Sequence, residues 1–417
     1  MNFRLLFITI FLLVIDKLVL LLLPSFPGGL KHFLLLIIVF YCWYVRGAKF
    51  FRFDKNYIFF LIINCLYIIV LYFNSNVALI NFTIGFIFTF LFSFIFLLAS
   101  NTKNSINNLF KLFKILIYIF LPLSLVTIIS SLFTVNQINT NYFGVFRELG
   151  AFGTVLNISS ILCLVLYYKT NQKVYILLAA VFSIFIFLTI MKKSILSNSI
   201  IWFIYFFSKG SLKQKILQST IFIFFFLISV FFMRNQLIDN ITKNIDYVSD
   251  AGDKHVRIAM YNAAFKIAAD HFPFGTGTGT FGSLPSLYNG YSKIYYDYNI
   301  YLIEPLSRER VIKGEGHDLF DTYWPHIIGE LGIAGTLFFF LLWFYPIIKG
   351  IKFFNNSVSN EIKALAFYVI SIGIVMFIEG FALYTPEISA FIIFHSLFTG
   401  LCFFHFHRYK ILYDEKI

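Results

Sequence analysis

Two stretches of this sequence carry residue types that bind an anion and accept a proton. Arg257 lies near the predicted start of a short helix, where a guanidinium and the first helix amides together attract negative charge. His317 lies in the second stretch, and an imidazole accepts a proton near neutral pH. Asp318 and Asp321 follow it, and either carboxylate is suited to orient the imidazole. The first stretch therefore predicts an anion site, and the second supplies a candidate proton acceptor.

Further candidates flank these stretches. His326 and Glu330 are four positions apart on one predicted helix face, close enough to pair, and ionisable residues inside a membrane span are functional candidates. Arg147, Arg308 and Arg310 are the remaining arginine candidates for holding the anion. No metal ligand set and no cofactor are expected.

Basic residues also lie beside a predicted membrane surface at Arg147 and at the pair Lys192 and Lys193. One interpretation is that they anchor the protein to lipid headgroups. The other is that they hold an anionic group of a lipid-linked substrate at the outer interface, where charge is weakly screened. The sequence leaves both interpretations open.

A short amphipathic helix followed by a glycine-rich turn is predicted after Arg257. Its apolar positions are Met260, Ala264, Phe265, Ile267 and Ala268, which suit a helix lying on the membrane or on the helix bundle. Pro273 ends it, and Gly275, Gly277 and Gly279 then alternate. Because this spacing differs from the phosphate-binding loop and no strand precedes it, we expect a turn rather than a nucleotide site.

Composition identifies an integral membrane protein. Of 417 residues, 59% are hydrophobic and 13% are charged, and the mean hydropathy is +0.82. The four cysteines all lie in apolar runs, so neither a disulfide framework nor a metal site is indicated. The formal charge of +13 is interpreted as topogenic, and nucleic acid is not expected as a partner.

Twelve segments approach the length of about 20 apolar residues that a membrane helix needs. They are roughly 5–23, 30–45, 57–73, 77–99, 113–133, 151–168, 174–191, 195–208, 216–233, 323–348, 364–384 and 388–406. The seventh and eighth are separated only by 191–193, which leaves a tight hairpin or one broken pair. The first contains Asp16 and Lys17 and is expected to be a retained helix rather than a secretory signal.

The distribution of charge predicts the orientation. With both termini in the cytoplasm, the inside segments hold 19 Lys and Arg residues and the short outside loops hold four. The chain is therefore predicted to be an all-α polytopic membrane protein with helices 1–9 in 1–233, one large extracytoplasmic loop with short amphipathic helices in 234–322, and helices 10–12 with a cytoplasmic tail in 323–417. The large loop holds nine Lys or Arg and eleven Asp or Glu residues, which places the expected chemistry there.

The order of these features resembles the O-antigen ligase and polymerase superfamily. The resemblance is carried by Arg257, the turn at 273–279, His317, and the Glu-x-Gly-x-x-Gly pattern at 330–335. The segment 147–153, which opens the sixth predicted span, is similar to the family's first periplasmic basic motif. The resemblance implies a glycosyltransferase of the bacterial inner membrane that moves glycans from undecaprenyl-diphosphate carriers.

The chain departs from many members of that superfamily at the histidine. His317 precedes Asp318 and lies 13 positions before Glu330, whereas many relatives have a following Asn and a shorter distance. The insertion at 321–325 is more similar to capsule and exopolysaccharide polymerases than to ligases. His326 therefore competes with His317 for the role of base.

The resemblance implies a metal-independent, inverting polymerase of lipid-linked repeat units. Arg257, with Arg147 and either Arg308 or Arg310, is expected to hold the donor diphosphate while His317 activates the acceptor hydroxyl. The expected partners are the lipid-linked donor and acceptor, the bilayer and a chain-length regulator protein. The alternatives are a ligase that transfers glycan to lipid A core and a flippase of lipid-linked oligosaccharide.

Tyrosines are frequent in the second half of the predicted loop. They either offer stacking faces for sugar rings or belong to a flexible Tyr-rich segment. The positions are Tyr288, Tyr291, Tyr295, Tyr296, Tyr298 and Tyr301.

Overall fold

The fold is all-α, as the sequence predicts. A computed structural model describes residues 54–75, 77–133, 149–189, 191–209, 256–287, 291–303, 306–312, 322–381 and 392–414, and these ranges contain no strand. The predicted first, second and ninth spans lie outside the described residues. The count of twelve spans and the three domain boundaries therefore stay predictions.

The described helices fall into two sets separated by a compact loop segment. The first set is α1 (Lys55–Asn74), α2 (Leu79–Ser100), α3 (Ile106–Phe133), α4 (Leu149–Thr170), α5 (Lys173–Leu188) and α6 (Lys192–Lys209). The loop segment contains α7 (Val256–Asp270), α8 (Lys293–Asp297) and α9 (Arg308–Ile312), with 3-10 turns at Leu284–Leu287 and Ile300–Leu302. The last set is α10 (Trp324–Asn356), α11 (Asn360–Glu379), a π-helical turn at Ile392–Leu397 and α12 (Phe398–Asp414).

Among the described residues, six helices are long and apolar enough to cross a membrane: α1, α2, α3, α4, α10 and α11. α5 is equally apolar but has only 16 residues. α5 and α6 form the hairpin that was one of the two alternatives, since the Trp202 indole of α6 donates to the Ser183 hydroxyl of α5 at 2.8 Å.

Two of the helices extend well beyond the predicted spans. α3 begins at Ile106 instead of position 113, because its first turns bury Leu109 and Phe110 while carrying lysines on the exposed side. α10 begins at Trp324, one residue from the predicted start, with Pro325 in its first turn, but it continues to Asn356 instead of position 348. Hydropathy alone ends a span at its first lysines, although an amphipathic helix continues through them.

The described helices have two distinct ends. At one end, Ser75 after α1 and Asn81 in the first turn of α2 meet the glycine-rich segment that follows α7. The carbonyl of Gly380, at the end of α11, accepts there from the amide of Tyr323 at 3.0 Å. We call this the loop end. The opposite end carries the ion pairs Lys349–Asp54 at 3.4 Å and Lys169–Glu361 at 3.3 Å.

Candidate functional site

The loop end is organised around a break in α10. Gly332 has φ 66° and ψ −172°, a backbone conformation that is essentially restricted to glycine. The break takes the carbonyls of Gly329, Glu330 and Leu331 out of the regular helix ladder. Backbone groups inside a membrane must find other partners, because the hydrocarbon offers none.

The segment after α7 supplies those partners. The amide of Thr276 donates to the carbonyl of Gly329 at 3.1 Å, and the amide of Gly277 donates to the carbonyl of Glu330 at 3.0 Å. In return, the amide of Ala334 donates to the carbonyl of Pro273 at 3.3 Å. We call residues 273–283 the docked turn. It supplies hydrogen-bond partners for backbone groups that the break in α10 leaves without helical partners.

Tyr67 of α1 completes the junction. Its hydroxyl donates to the carbonyl of Leu331 at 2.9 Å and lies 3.3 Å from the carbonyl of Pro273. The Tyr67 ring also stacks on Phe274, with centroids 5.7 Å apart. Sequence reasoning missed this residue, because a tyrosine in an apolar run gives no local signal of its partner.

Glycines make the close backbone approach possible. A Cβ at Gly275 would overlap the carbonyl of Glu330, and a Cβ at Gly332 would overlap the backbone of Phe274. On the other side, Gly279 has φ 81°, and a Cβ on Gly85 of α2 would lie 2.7 Å from its amide nitrogen. The prediction of a turn at these alternating glycines is confirmed. The turn is wedged between α2 and α10.

The Glu330 carboxylate is buried under the docked turn. Its Oε1 accepts from the amides of Thr280 and Phe281, both at 3.0 Å, and from the Ser283 hydroxyl at 2.6 Å. The side chain is 1% exposed. Three hydrogen bonds to one buried oxygen fix the docked turn to the break in α10. Its predicted contact with substrate stays a prediction.

His326 lies one turn before Glu330 and is enclosed by protein. It is 1% exposed, and its ring packs edge-on against Tyr323 with centroids 4.6 Å apart. Gly282, with φ 64°, covers its Cβ. A general base must touch the hydroxyl that it deprotonates, and the enclosed His326 ring offers no such approach in this arrangement.

Helix α7 carries Arg257 in its first turn. The helix buries Met260, Ala264 and Ile267, which confirms the predicted amphipathic helix and shows that it packs against α10. Phe265, which was expected on the same apolar face, is instead 59% exposed. It lies one position off the packed stripe, so the helix presents this ring away from the bundle.

Tyr261 connects the Arg257 turn to the end of α11. Its hydroxyl donates to the carbonyl of Phe381 at 3.2 Å, and the two rings are stacked. Burial raises the pKa of Tyr261, and the nearby positive charge of Arg257 acts in the opposite direction. The exposed Arg257 side chain is therefore carried by a helix that packs on α10 and bonds to the residues just after α11.

The second half of the loop has its own small core. Tyr295 is fully buried; its hydroxyl accepts from the amide of Gly282 at 2.9 Å and shares a hydrogen bond with Ser286 at 2.8 Å. This burial raises the pKa of Tyr295, because the charged phenolate would lose its contact with water. The suggestion that Tyr295 stacks on a sugar ring is wrong, because the ring is enclosed. Tyr296 and Tyr301 are exposed, with centroids 5.2 Å apart, while Tyr288 lies outside the described residues.

The Tyr291 hydroxyl donates to the carbonyl of Leu306 at 2.6 Å, just before α9. α9 opens with Arg308, which is exposed, and contains Arg310, which is half-buried. Both predicted arginines thus belong to a segment that is packed on the loop core. Arg147 and the stretch with His317, Asp318 and Asp321 lie outside the described residues.

A second buried carboxylate lies at the loop end, at the last residue of α11. Glu379 is fully buried, and its Oε2 is 3.1 Å from the Lys193 ammonium of α6. Asn157 of α4 donates to Glu379 Oε1 at 3.4 Å and to the carbonyl of Ser194 at 3.1 Å. Lys193 is only 11% exposed, so the headgroup-anchor interpretation is wrong for this lysine. The neighbouring Lys192 is exposed.

The two aromatic residues at the start of α10 also differ from expectation. Aromatic residues at the start of a span are expected at the headgroup level, but Tyr323 and Trp324 are both buried in the bundle. The Trp324 indole donates to the carbonyl of Phe377 at 3.0 Å. They join α10 to α11 rather than to the lipid.

Within the described ranges, no three His, Cys, Asp or Glu side chains gather in an arrangement that holds a metal ion. No protein-family model matches the chain, and no curated protein matches it in sequence. The six long apolar helices among the described residues are those of a membrane protein by length and composition.

Proposed function

We propose that this protein is a glycosyltransferase of the bacterial inner membrane that polymerises undecaprenyl-diphosphate-linked oligosaccharide units. The observation that carries the proposal is the placement of Arg257. It is exposed in the first turn of α7, and α7 is attached to the membrane spans at the loop end. The charge distribution assigns this end to the outer face of the membrane, with both termini in the cytoplasm.

The chemistry requires a cation at the membrane surface on an element that the rest of the protein holds in place. A sugar leaves a lipid diphosphate only if the developing negative charge is stabilised, and pre-positioned donors do this most effectively. A guanidinium at a helix N-terminus adds its own charge to that of the first amides. Arg257 meets this requirement, with Arg147, Arg308 or Arg310 as further contacts to the diphosphate.

His317 is proposed to activate the acceptor hydroxyl for attack at the anomeric carbon. The hydroxyl loses its proton to the imidazole, the new glycosidic bond forms, and the lipid diphosphate leaves with the electrons of the broken bond. A single displacement inverts the configuration at that carbon. His317 is preferred to His326, because His326 is enclosed beneath Gly282.

The break in α10 also favours a second candidate, a flippase of lipid-linked oligosaccharide. Broken helices near the bilayer centre form the substrate and ion sites of many transporters. In this chain, however, the carbonyls of Gly329, Glu330 and Leu331 are occupied by the docked turn and Tyr67. Because these carbonyls are already hydrogen-bonded to protein, the break is better suited to anchor the loop than to bind an ion.

The test is chain extension by purified full-length protein in detergent, where transport does not register. Lipid-linked repeat units serve as donor and acceptor, and the product ladder is separated by gel. We expect Arg257→Ala and His317→Ala each to lower extension about 100-fold or more. Lys266→Ala is the matched control, since Lys266 is an exposed cation on the same helix.

The outcomes separate the alternatives. Normal extension by Arg257→Ala, or an equal loss in Lys266→Ala, would remove Arg257 from the mechanism. Loss in His326→Ala together with normal extension by His317→Ala would assign the base to His326. Transfer to lipid A core with no ladder from lipid-linked acceptors would identify a ligase. No transfer to either acceptor, with movement of the lipid across vesicles, would identify a flippase.

A further inference from the structure

A polar pocket lies at the opposite end of the bundle from the docked turn. It encloses about 820 Å³ between the α2–α3 turn, the start of α11 and the last turns of α12. Lys103 and Arg408 supply two positive charges from two separate elements. Glu361 is the acid among the lining residues, and its carboxylate is paired with Lys169 at 3.3 Å. The described lining thus contains two cations and one acid that is paired with a residue of α4.

Two further lining residues have buried polar atoms without partners. Asn104 has both its amide nitrogen and its amide oxygen buried without a hydrogen bond. His405 is 5% exposed, and its Nε2 is likewise buried without a hydrogen bond. Buried polar atoms that lack a partner cost stability, and a native site that keeps them commonly meets them with a ligand or water.

The position of the pocket indicates the kind of ligand. It opens at the level where the helices α2, α3, α10, α11 and α12 end, and this is the end that the charge distribution assigns to the cytoplasmic membrane surface. Basic pockets between membrane helices on that side bind the phosphate of anionic lipid headgroups. A volume of this size admits such a headgroup.

We infer that this pocket binds a phosphate group at the membrane surface opposite the docked turn. Lys103 and Arg408 hold its charge, and the amide of Asn104 and the imidazole of His405 supply hydrogen bonds once the side chains turn towards it. The source of the phosphate is either an anionic phospholipid headgroup or a phosphate from solution. The inference is independent of the glycosyltransferase proposal, because none of these residues belongs to the loop end.

The experiment uses the full-length protein in detergent, titrated in separate arms with cardiolipin and with inorganic phosphate. Binding is measured by native mass spectrometry for the lipid and by calorimetry for phosphate. We expect the double variant Lys103→Ala, Arg408→Ala to bind the effective probe roughly 30-fold more weakly. The double variant Lys55→Ala, Lys173→Ala removes the same charge from exposed positions at the same end, and we expect it to bind as the parent does.

A third variant separates a specific pocket from general charge. Asn104→Leu keeps both cations, and we expect it to bind roughly 5-fold more weakly than the parent. A pocket-dependent loss with cardiolipin alone identifies the lipid headgroup, and a loss with inorganic phosphate identifies a ligand from solution. Equal loss in the two double variants, or no loss in the pocket variants with either probe, would overturn the inference.

Discussion

The two ends of the bundle differ in their contacts: main chain meets main chain at the loop end, beside the buried Lys193–Glu379 pair, whereas the ion pairs at the opposite end are partly exposed. At the loop end, the docked turn and α10 exchange backbone hydrogen bonds, and glycines allow main chain to touch main chain. At the opposite end, the spans are linked by side-chain ion pairs such as Lys349–Asp54, whose side chains are 29% and 16% exposed. Backbone amides and carbonyls inside a membrane have no water to bond to if their protein partner is lost. The charged groups of a partly exposed ion pair can instead be solvated by water.

The two ends should therefore differ in how well they tolerate substitutions. An interface made of backbone atoms depends on the absence of side chains, so even one added methyl group obstructs it. An interface made of long side chains yields by rotation, and each pair contributes little. We therefore expect substitutions at the loop end to cost several times more stability than substitutions at the opposite end.

The largest effect is expected for Gly332→Ala. The new Cβ would overlap the backbone of Phe274, and the backbone angles at this position exclude other residues. The unfolding free energy in mixed micelles should fall by about 4 kcal/mol. Gly350→Ala on the same helix is the control, since its Cβ would meet side-chain carbons of Ile370 at 3.1 Å and Val369 at 3.3 Å, and its nearest backbone atom lies 3.5 Å away. Similar losses in both variants would contradict the distinction between the two ends.

The second-largest effect is expected for Glu330→Ala, which should lower the unfolding free energy by about 3 kcal/mol. The substitution leaves two amides and the Ser283 hydroxyl without their acceptor. Glu330→Gln keeps one acceptor oxygen, and we expect it to recover about half of that loss. Limited proteolysis within 256–312 provides the second measurement. Cleavage that stays as slow as in the parent after Glu330→Ala would show that this carboxylate does not hold the docked turn.

A smaller effect is expected for Tyr67→Phe, which removes one hydroxyl and keeps the stacked ring. The carbonyl of Leu331 then lacks its donor, at a cost of about 1.5 kcal/mol. Hydrogen exchange at the amide of Ala334, which bonds to Pro273, should accelerate. Unchanged exchange and unchanged stability would mean that water replaces the hydroxyl, and that the junction is not dry.

Lys349→Ala should have the smallest effect, below about 1 kcal/mol, because the pair with Asp54 is partly exposed. The same unfolding measurement at high and low salt checks this expectation, since salt should reduce the difference between variant and parent. If Lys349→Ala lowered the unfolding free energy more than Tyr67→Phe does, the loop end would not be the end that is more sensitive to substitution.

Much of the fold follows from local sequence signals. The start of α10 at Trp324 is predicted by Pro325, and α7 is predicted by its apolar spacing and by Pro273. The alternating glycines indicate a turn correctly. These features depend on neighbours within a few positions along the chain, so the sequence is sufficient to find them.

The partners across the chain do not follow from local signals. Glu330 is recognisable as an ionisable residue in a span, but its partners are amides that lie 50 and 49 positions earlier. Tyr67 contacts Pro273 across 206 positions. Lys193 and Glu379 are each visible as isolated charges, and only the packing of α6 on α11 makes them a pair. Contacts of this kind are set by helix arrangement.

The junction at Gly332 also constrains the order of biogenesis. Its three parts are made far apart in time: Tyr67 is synthesised early, the docked turn much later, and α10 last. Until residues 329–331 have left the ribosome, the amides of the turn lack their carbonyl acceptors and Tyr67 lacks its acceptor on Leu331. The turn must therefore wait beside an incomplete bundle, and translocon integration of α10 is the event that locks it in place.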